Sequence, residues 1–335
     1  MAGIKNAYLI AEDDPDEASR MCNDVLREDP DNAAAMYLLG TLHARAERYG
    51  NALSLFERCT KIAPHRPEAW NNLGMAYHEC YVFDKSRDYF IRALALDNKP
   101  GYMANIASSY SGAGNYVEAL RWCKKALKLD PEHSGAHTTL GFAQIATGDW
   151  ANGWKGYEHC LGGRFRKIVK IGDEPKWDGS PVESLFIYGE QGIGDEIMYA
   201  FCLGDIKNVG KITLECDPRL EGLFKRSFPH IEVHGTRRKP QPWAKDRTFE
   251  AGCGIGSLPS LFRPTRESCP RTPYLVADPE RRLQWRALFD SMGPKRKIGL
   301  CWTGGRAPCC RTGPSTEVSS RGQPPGTGYG GSFRA

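Results

Sequence analysis

The densest run of groups able to do chemistry in this 335-residue chain is GEQGIGDE, Gly189 to Glu196, which sets Glu190, Gln191, Asp195 and Glu196 among three glycines. A short apolar run, Leu185 to Tyr188, precedes it, and IMYAFCLGDI follows as a helical stretch, so the order is strand, turn, helix. Glycines let a backbone bend sharply at the carboxyl edge of a sheet, which is where open α/β sheets place ligands. No Lys-Ser/Thr pair follows these glycines, which excludes a phosphate-binding loop, and the spacing is not GxGxxG. By position, Asp195 suits a helix N-cap and Glu196 the first turn. The later GCGIG, Gly252 to Gly256, also misses the dinucleotide spacing and reads as a loop.

Two amides form a second constellation: Asn72 in WNNLG and Asn105 in MANIA hold equivalent places in a repeated pattern described below. The twelve cysteines do not form a third. Ten are scattered singly, from Cys22 to Cys301, only Cys309 and Cys310 are adjacent, and there is no CxxC. Structural zinc takes its ligands in close pairs, so the expectation is no metal, with reduced thiols filling core space.

These groups need elements to position them. With 41% hydrophobic and 25% charged residues the chain can bury a core, and at roughly 100 to 200 residues per domain its length suggests two or three domains. No run reaches the roughly 18 apolar residues of a membrane helix, and the acidic turn of the N-terminus excludes a cleavable leader, so the expected compartment is the cytoplasm. The net charge of +5 is unevenly spread: residues 1–160 carry 17 Lys+Arg against 21 Asp+Glu (−4), and residues 161–335 carry 28 against 19 (+9). The basic half suits phosphorylated molecules or anionic glycans as readily as nucleic acid, and with no recognised reading motif beside it no nucleic-acid role is expected.

Residues 1–160 repeat themselves. Gly40, Gly74, Ala107 and Gly141 recur at 34, 33 and 34 residues, and in the same register run Ala52, Ser86, Ala119, Gly153 and Phe56, Phe90, Cys123, Tyr157. Small residues at a helix crossing with aromatics between the helices are what stacked helical hairpins require. Pro30, Pro64 and Pro131 punctuate the units. The array resembles the tetratricopeptide repeat family through Trp70, Leu73, Gly74, Tyr77, Phe90 and Ala93, with Ser86 in place of the usual Ala. The resemblance implies an α solenoid whose first helices line a groove for a protein or peptide partner. In that groove Asn72 and Asn105 are similar to the asparagine ladder with which O-linked N-acetylglucosamine transferases hold a peptide backbone. Gly153 and Gly156 weaken helix propensity by about 1 kcal/mol each relative to alanine, so the array is expected to fray or end there.

Residues 161–182, rich in glycine and proline, read as a linker, and residues 183–305 as a Rossmann-like α/β domain with strands in LFIY, KITLEC and IEVH. GEQGIGDE, GSLPSLFR, PYLVADPE and KIGLCWTGG occur in that order. Together they resemble the heptosyltransferase-like family-nine glycosyltransferases fused behind tetratricopeptide repeats. That resemblance implies the N-terminal half of a GT-B fold, metal-independent inverting transfer from a nucleotide-sugar donor substrate, and no other cofactor. It also implies that Asp195, after Gly194, is the base that takes the proton of a glycan or protein acceptor, a role chemically sound at an oxocarbenium-like transition state. Gly192, Gly194, Glu190 and Gln191 are then the acceptor-binding residues. Arg237, Arg238, Lys239, Lys245 and Arg247 form a basic loop able to steer an anionic acceptor.

The pattern departs from that family after Gly305. Residues 306–335 hold six Gly and four Pro but no Leu or Ile, so they read as a disordered or aberrant tail, as from a shifted frame, rather than a nucleotide-sugar domain. Two functions therefore stand open: a glycosyltransferase, impaired as this chain, whose repeats recruit its client, and a noncatalytic repeat adaptor.

Overall fold

The computed structural model describes residues 2–163, 166–236 and 242–297, in two compact units divided between Pro131 and Glu132. Arg237, Arg238, Lys239, Trp302 and the tail 306–335 lie outside the described residues, as does KIGLCWTGG beyond Lys297.

The described residues of the first unit form eight helices in antiparallel pairs: α1 (Ala2–Ile10) with α2 (Pro15–Glu28), α3 (Ala33–Arg45) with α4 (Tyr49–Ile62), α5 (Pro67–Glu79) with α6 (Phe83–Leu96), and α7 (Pro100–Gly112) with α8 (Tyr116–Leu129). Proline opens α2, α5 and α7, where its missing N–H costs nothing. Asp14, Asn32 and Asn115 cap α2, α3 and α8 through side-chain oxygens. The 34-residue period has a packing cause. A Cβ on Gly40 would lie 2.7 Å from the Phe56 ring, and one on Gly74 2.7 Å from that of Phe90, so these two hairpins cross where one helix has no side chain. The hairpin turns share the register too: Glu47 (φ 59°) and Tyr81 (φ 61°) take the left-handed conformation that Gly114 (φ 78°) supplies at the next turn.

The second unit begins with a fifth hairpin, α9 (Ser134–Thr147) and α10 (Trp150–Glu158). Of the two outcomes expected there, fraying or an end to the array, the second is seen: α10 runs unbroken through Gly153 and Gly156, and the helical hairpins stop with it. Its glycines serve the crossing, since a Cβ on Gly156 would lie 2.7 Å from the Gly141 Cα and one on Gly153 2.8 Å from the amide nitrogen of Ile145; Gly141 on α9 is equally confined, its Cβ falling 2.6 Å from the carbonyl oxygen of Gly153. The chain continues through β1 (Val182–Tyr188), α11 (Ile193–Tyr199), β2 (Val209–Glu215), α12 (Glu221–Ser227), β3 (Glu232–His234), β4 (Ala251–Gly254), α13 (Leu258–Phe262) and α14 (Pro279–Ser291). The four strands form one parallel sheet in the order β3-β2-β1-β4. The order reverses between β1 and β4, which makes their carboxyl ends the topological switch point.

One face of the sheet presents Leu185, Ile187, Ile212, Leu214, Val233, Ala251 and Cys253 to Tyr199, Leu203, Phe224 and Leu258, with Trp154 and Tyr157 of α10 in the same core. The hairpin is thus part of the α/β unit's own hydrophobic interior, and Trp154 Nε1 donates to the Arg263 carbonyl (2.9 Å). GCGIG, read as a loop, instead supplies most of β4, followed by a 3₁₀ turn at Ile255–Ser257. Its glycines leave room for two carboxylates. A Cβ on Gly252 would meet Glu174 Cγ at 2.9 Å, and one on Gly254 would coincide with the Glu190 carboxylate. The stretch read as a linker is packed: Lys176 bridges to Gly252, Trp177 is buried in the core, and Arg166 is wholly buried. Among the described residues no helix is long and apolar enough to cross a membrane.

Candidate functional site

Within the first unit, α3, α5 and α7 stand side by side and their polar residues are joined. Asn72 Nδ2 donates to Thr41 Oγ1 on α3 (3.3 Å), Asn71 Nδ2 to Asn72 Oδ1 (3.3 Å), and Asn105 Nδ2 on α7 to Asn71 Oδ1 (2.7 Å). The two amides singled out from the sequence are therefore brought into one line, and Asn71, which sequence reasoning passed over, is the link between them. The doubled asparagine in WNNLG was the available signal. All three are half-buried, and each amide keeps hydrogen-bonding capacity beyond these contacts. Further along the same two helices, Ser108 Oγ on α7 lies 3.3 Å from His78 Nε2 on α5. Burial holds the His78 imidazole below its ordinary pKa.

Within the second unit, the turn after β1 divides its polar residues between outside and inside. Gly192 is the N-cap of α11, and Asp195 sits three residues later than the cap position expected for it. From there its Oδ2 accepts the Gly192 N–H (3.1 Å), the return arm of a capping box, and the carboxylate remains partly exposed. Gly192 and Gly194 are exposed beside it. Glu190 and Gln191 turn inward. Glu190 is 0% exposed and its Oε1 accepts from Arg166 Nε (2.7 Å), so in this conformation it does not meet an acceptor arriving from solvent. Gln191 Nε2 donates to the Tyr157 hydroxyl, which also accepts from Tyr199 (3.1 Å).

Arg166 is the residue that sequence reasoning missed altogether. Its guanidinium also donates to Glu158 Oε1 (3.0 Å), the Tyr157 carbonyl (3.2 Å) and Ser257 Oγ (2.7 Å), and lies 4.4 Å from the centroid of the Tyr157 ring. It thereby ties α10, the turn after β1 and the turn after β4 to one point. Burial raises the Glu190 carboxyl above its ordinary pKa against the opposing pull of Arg166. At Glu158 burial also pushes upward, but Arg166 and Lys176 together outweigh it and the net shift is downward. Glu196 is equally buried, beneath Gly189, and its Oε2 accepts the Asp217 N–H (2.8 Å). Beside the switch point a cavity of about 200 Å³ is bounded by Tyr188, Gly252, Gly254, Ile168, Val169 and Glu174. Of the basic loop, Arg247 pairs with Glu232 (2.8 Å) while Lys245 is exposed.

The polar line across α3, α5 and α7 rests on a scaffold that comparison identifies: residues 8–67, 67–100 and 100–133 each match the Tetratricopeptide repeat family. The first unit is a tetratricopeptide repeat array. Such repeats support protein–protein interaction. The chain is similar to Protein FlbA of Caulobacter vibrioides, 30% identical over 306 residues, which is 82% of this chain and 49% of FlbA. Since the repeat matches stop at residue 133, that similarity extends into the α/β unit. It is also similar to Protein O-mannosyl-transferase TMTC1 of Mus musculus, 26% identical over 121 residues, or 35% of this chain and 13% of that protein. The chain thus spans about half the length of one relative and a small part of the other. The crystal structure of MamA covers 45% of this chain and 89% of its own at 22% identity and a TM-score of 0.41.

Proposed function

We propose that the repeat array captures an extended segment of a protein partner along α3, α5 and α7, and presents that partner to an α/β unit of Rossmann-like, glycosyltransferase type. The observation that carries the first part is the hydrogen-bonded line Thr41–Asn72–Asn71–Asn105, which sets amides at repeat spacing across three successive first helices. Amides offer both donors and acceptors, the chemistry that a peptide backbone needs. Replacing Asn72 and Asn105 by Ala weakens capture while leaving helicity by circular dichroism intact; unchanged affinity in calorimetry removes the assignment.

The second part rests on the parallel order β3-β2-β1-β4, with a glycine-rich turn at the reversal and one partly exposed carboxylate, Asp195, on its outer lip. A ligand at the carboxyl edge meets Asp195, Gly192 and Gly194 before any other part of that turn. On this reading Asp195 is the base for an acceptor hydroxyl and a nucleotide sugar is the donor. Asp195→Asn keeps an oxygen for the Gly192 N–H but cannot take a proton, so transfer to an acceptor disappears at nearly constant thermal stability. Retained turnover excludes the base role. An adaptor without catalysis is the second reading, favoured by the inward turn of Glu190 and Gln191, which leaves the lip with few groups to hold a sugar. Partner binding without uptake of any nucleotide sugar decides for it.

A further inference from the structure

The groove's chemistry narrows the class of partner, an inference that rests on the capture reading above. Its polar lining across α3, α5 and α7 comprises Thr41, Asn71, Asn72, His78, Asn105 and Ser108: hydroxyls, carboxamides and one imidazole. Lysine, arginine and carboxylate side chains are absent from this line. The charged groups beside it on α5 and the helix caps are paired with other groups: Glu68, one turn before Asn72, with Lys99 at the cap of α7 (3.8 Å), the Arg66 guanidinium with the Tyr37 ring (4.2 Å to its centroid), and Glu79 with the Tyr49 hydroxyl, from which it accepts (3.4 Å). A groove that recognised an acidic segment or a terminal carboxylate would aim cations at it, because a desolvated anion without a partner is costly.

We propose that the array binds an extended, uncharged segment rich in Ser, Thr, Asn or Gly, read through its backbone amides and small polar side chains. The geometry suits such a chain. Packed helices stand roughly 8–10 Å apart and an extended strand advances about 3.3 Å per residue, so one rung meets about every third residue. Bulky side chains are not required at the rungs, since Asn71, Asn72 and Asn105 are themselves half-buried and lie low on the wall. The two rows, the amide line and the His78–Ser108 pair, leave a polar track on which a backbone can exchange both its N–H and C=O groups.

The test is calorimetry on the whole chain with three synthetic peptides of about fifteen residues: one built from Gly, Ser, Thr and Asn, one with Asp at every third place, and one with Lys there. The neutral peptide is expected to bind best. Its affinity should change less than about twofold between roughly 50 and 300 mM salt, since no ion pair is formed. Asn72→Ala with Asn105→Ala should weaken it about tenfold, the loss of two modest hydrogen bonds, and Asn105→Gln should restore part of that loss. Preference for the Asp or Lys peptide, with steep salt dependence, overturns the neutral class but leaves peptide capture standing. If none of the three binds and a random peptide library yields no binder for the array, capture itself fails.

Discussion

Replacing Arg166 by Met should cost the second unit about 3–5 kcal/mol, the usual penalty for removing one partner of a buried ion pair and leaving the other charge uncompensated. The structure says which charge is stranded. Glu158 keeps Lys176 at 2.6 Å and the Ser257 hydroxyl at 3.0 Å, whereas Glu190, with no solvent exposure, loses the one cation that contacts it among the described residues. Burial already holds Glu190 above its ordinary carboxyl value of 4.5, and Arg166 is the charge that opposes this. Without it the folded value rises further, so the folded state binds the proton more tightly than the unfolded chain does. The stability associated with Glu190 is then fully present below pH 4.5 and lost as pH rises through the raised value. Guanidinium denaturation followed by tryptophan emission should show a larger loss at about pH 8 than at about pH 5. Adding Glu190→Gln to Arg166→Met should recover most of it, because no buried charge remains. An equal loss at both pH values, or a double variant no better than the single, refutes the account.

Three further predictions test the packing. Gly141→Ala should lower the melting temperature of the second unit by an amount equivalent to about 1–3 kcal/mol, since the new Cβ meets backbone of α10 that cannot rotate away; an unchanged melt removes the close crossing as the reason for that glycine. Tyr81→Gly should stabilise the first unit by up to about 1 kcal/mol by relieving a left-handed non-glycine residue, an effect reduced by loss of the Tyr81 ring edge against Phe83; a lower melting point refutes it. Arg247, then Lys211 and His234, hold Glu232 down at about 2. The stability this confers is present above pH 4.5 and lost as pH falls toward about 2, so Glu232→Gln should be less stable than the parent at neutral pH and converge with it in acid. A gap independent of pH counts against it.

Why the repeats were legible and the α/β interior was not follows from what each part demands of its sequence. A hairpin stack imposes the same crossing every 34 residues, so Gly40 and Gly74 are written at fixed intervals and need no partner to be recognised. The strand–turn–helix at Leu185 to Asp205 was legible for a like reason: apolar run, glycines and helical stretch are contiguous. Pairings over long separations leave no such mark. Gly252 and Gly254 look like loop residues until Glu174 and Glu190, far earlier in the chain, are seen to occupy the space their side chains would take. Arg166 stands in a glycine- and lysine-rich stretch, GGRFRKIVK, whose local composition says surface, and its partners lie 8, 24 and 91 residues away.

That distribution explains why the fifth hairpin belongs with the sheet although its sequence keeps the repeat register. The register fixes only how α9 crosses α10, through Gly141, Gly153 and Gly156. What α10 packs against is set by its outer residues, and these are Trp154 and Tyr157, aromatics that bury large apolar areas while their N–H and O–H need partners. The α/β unit provides both, a core containing Tyr199 and Leu203 and hydrogen bonds from Trp154 to the Arg263 carbonyl and from Tyr199 to Tyr157. Arg166 then adds the Tyr157 carbonyl and Glu158 to the same node that holds Glu190, so the helix end and the turn bearing Asp195 are positioned by one guanidinium. Severing the chain within the fifth hairpin, rather than before Glu132, would therefore expose Trp177 and Leu203 and remove two of the partners of Arg166. A fragment beginning at Glu132 should fold cooperatively, and one beginning at Leu161 should not. If the shorter fragment gives the sharper unfolding transition, the hairpin is no part of this core.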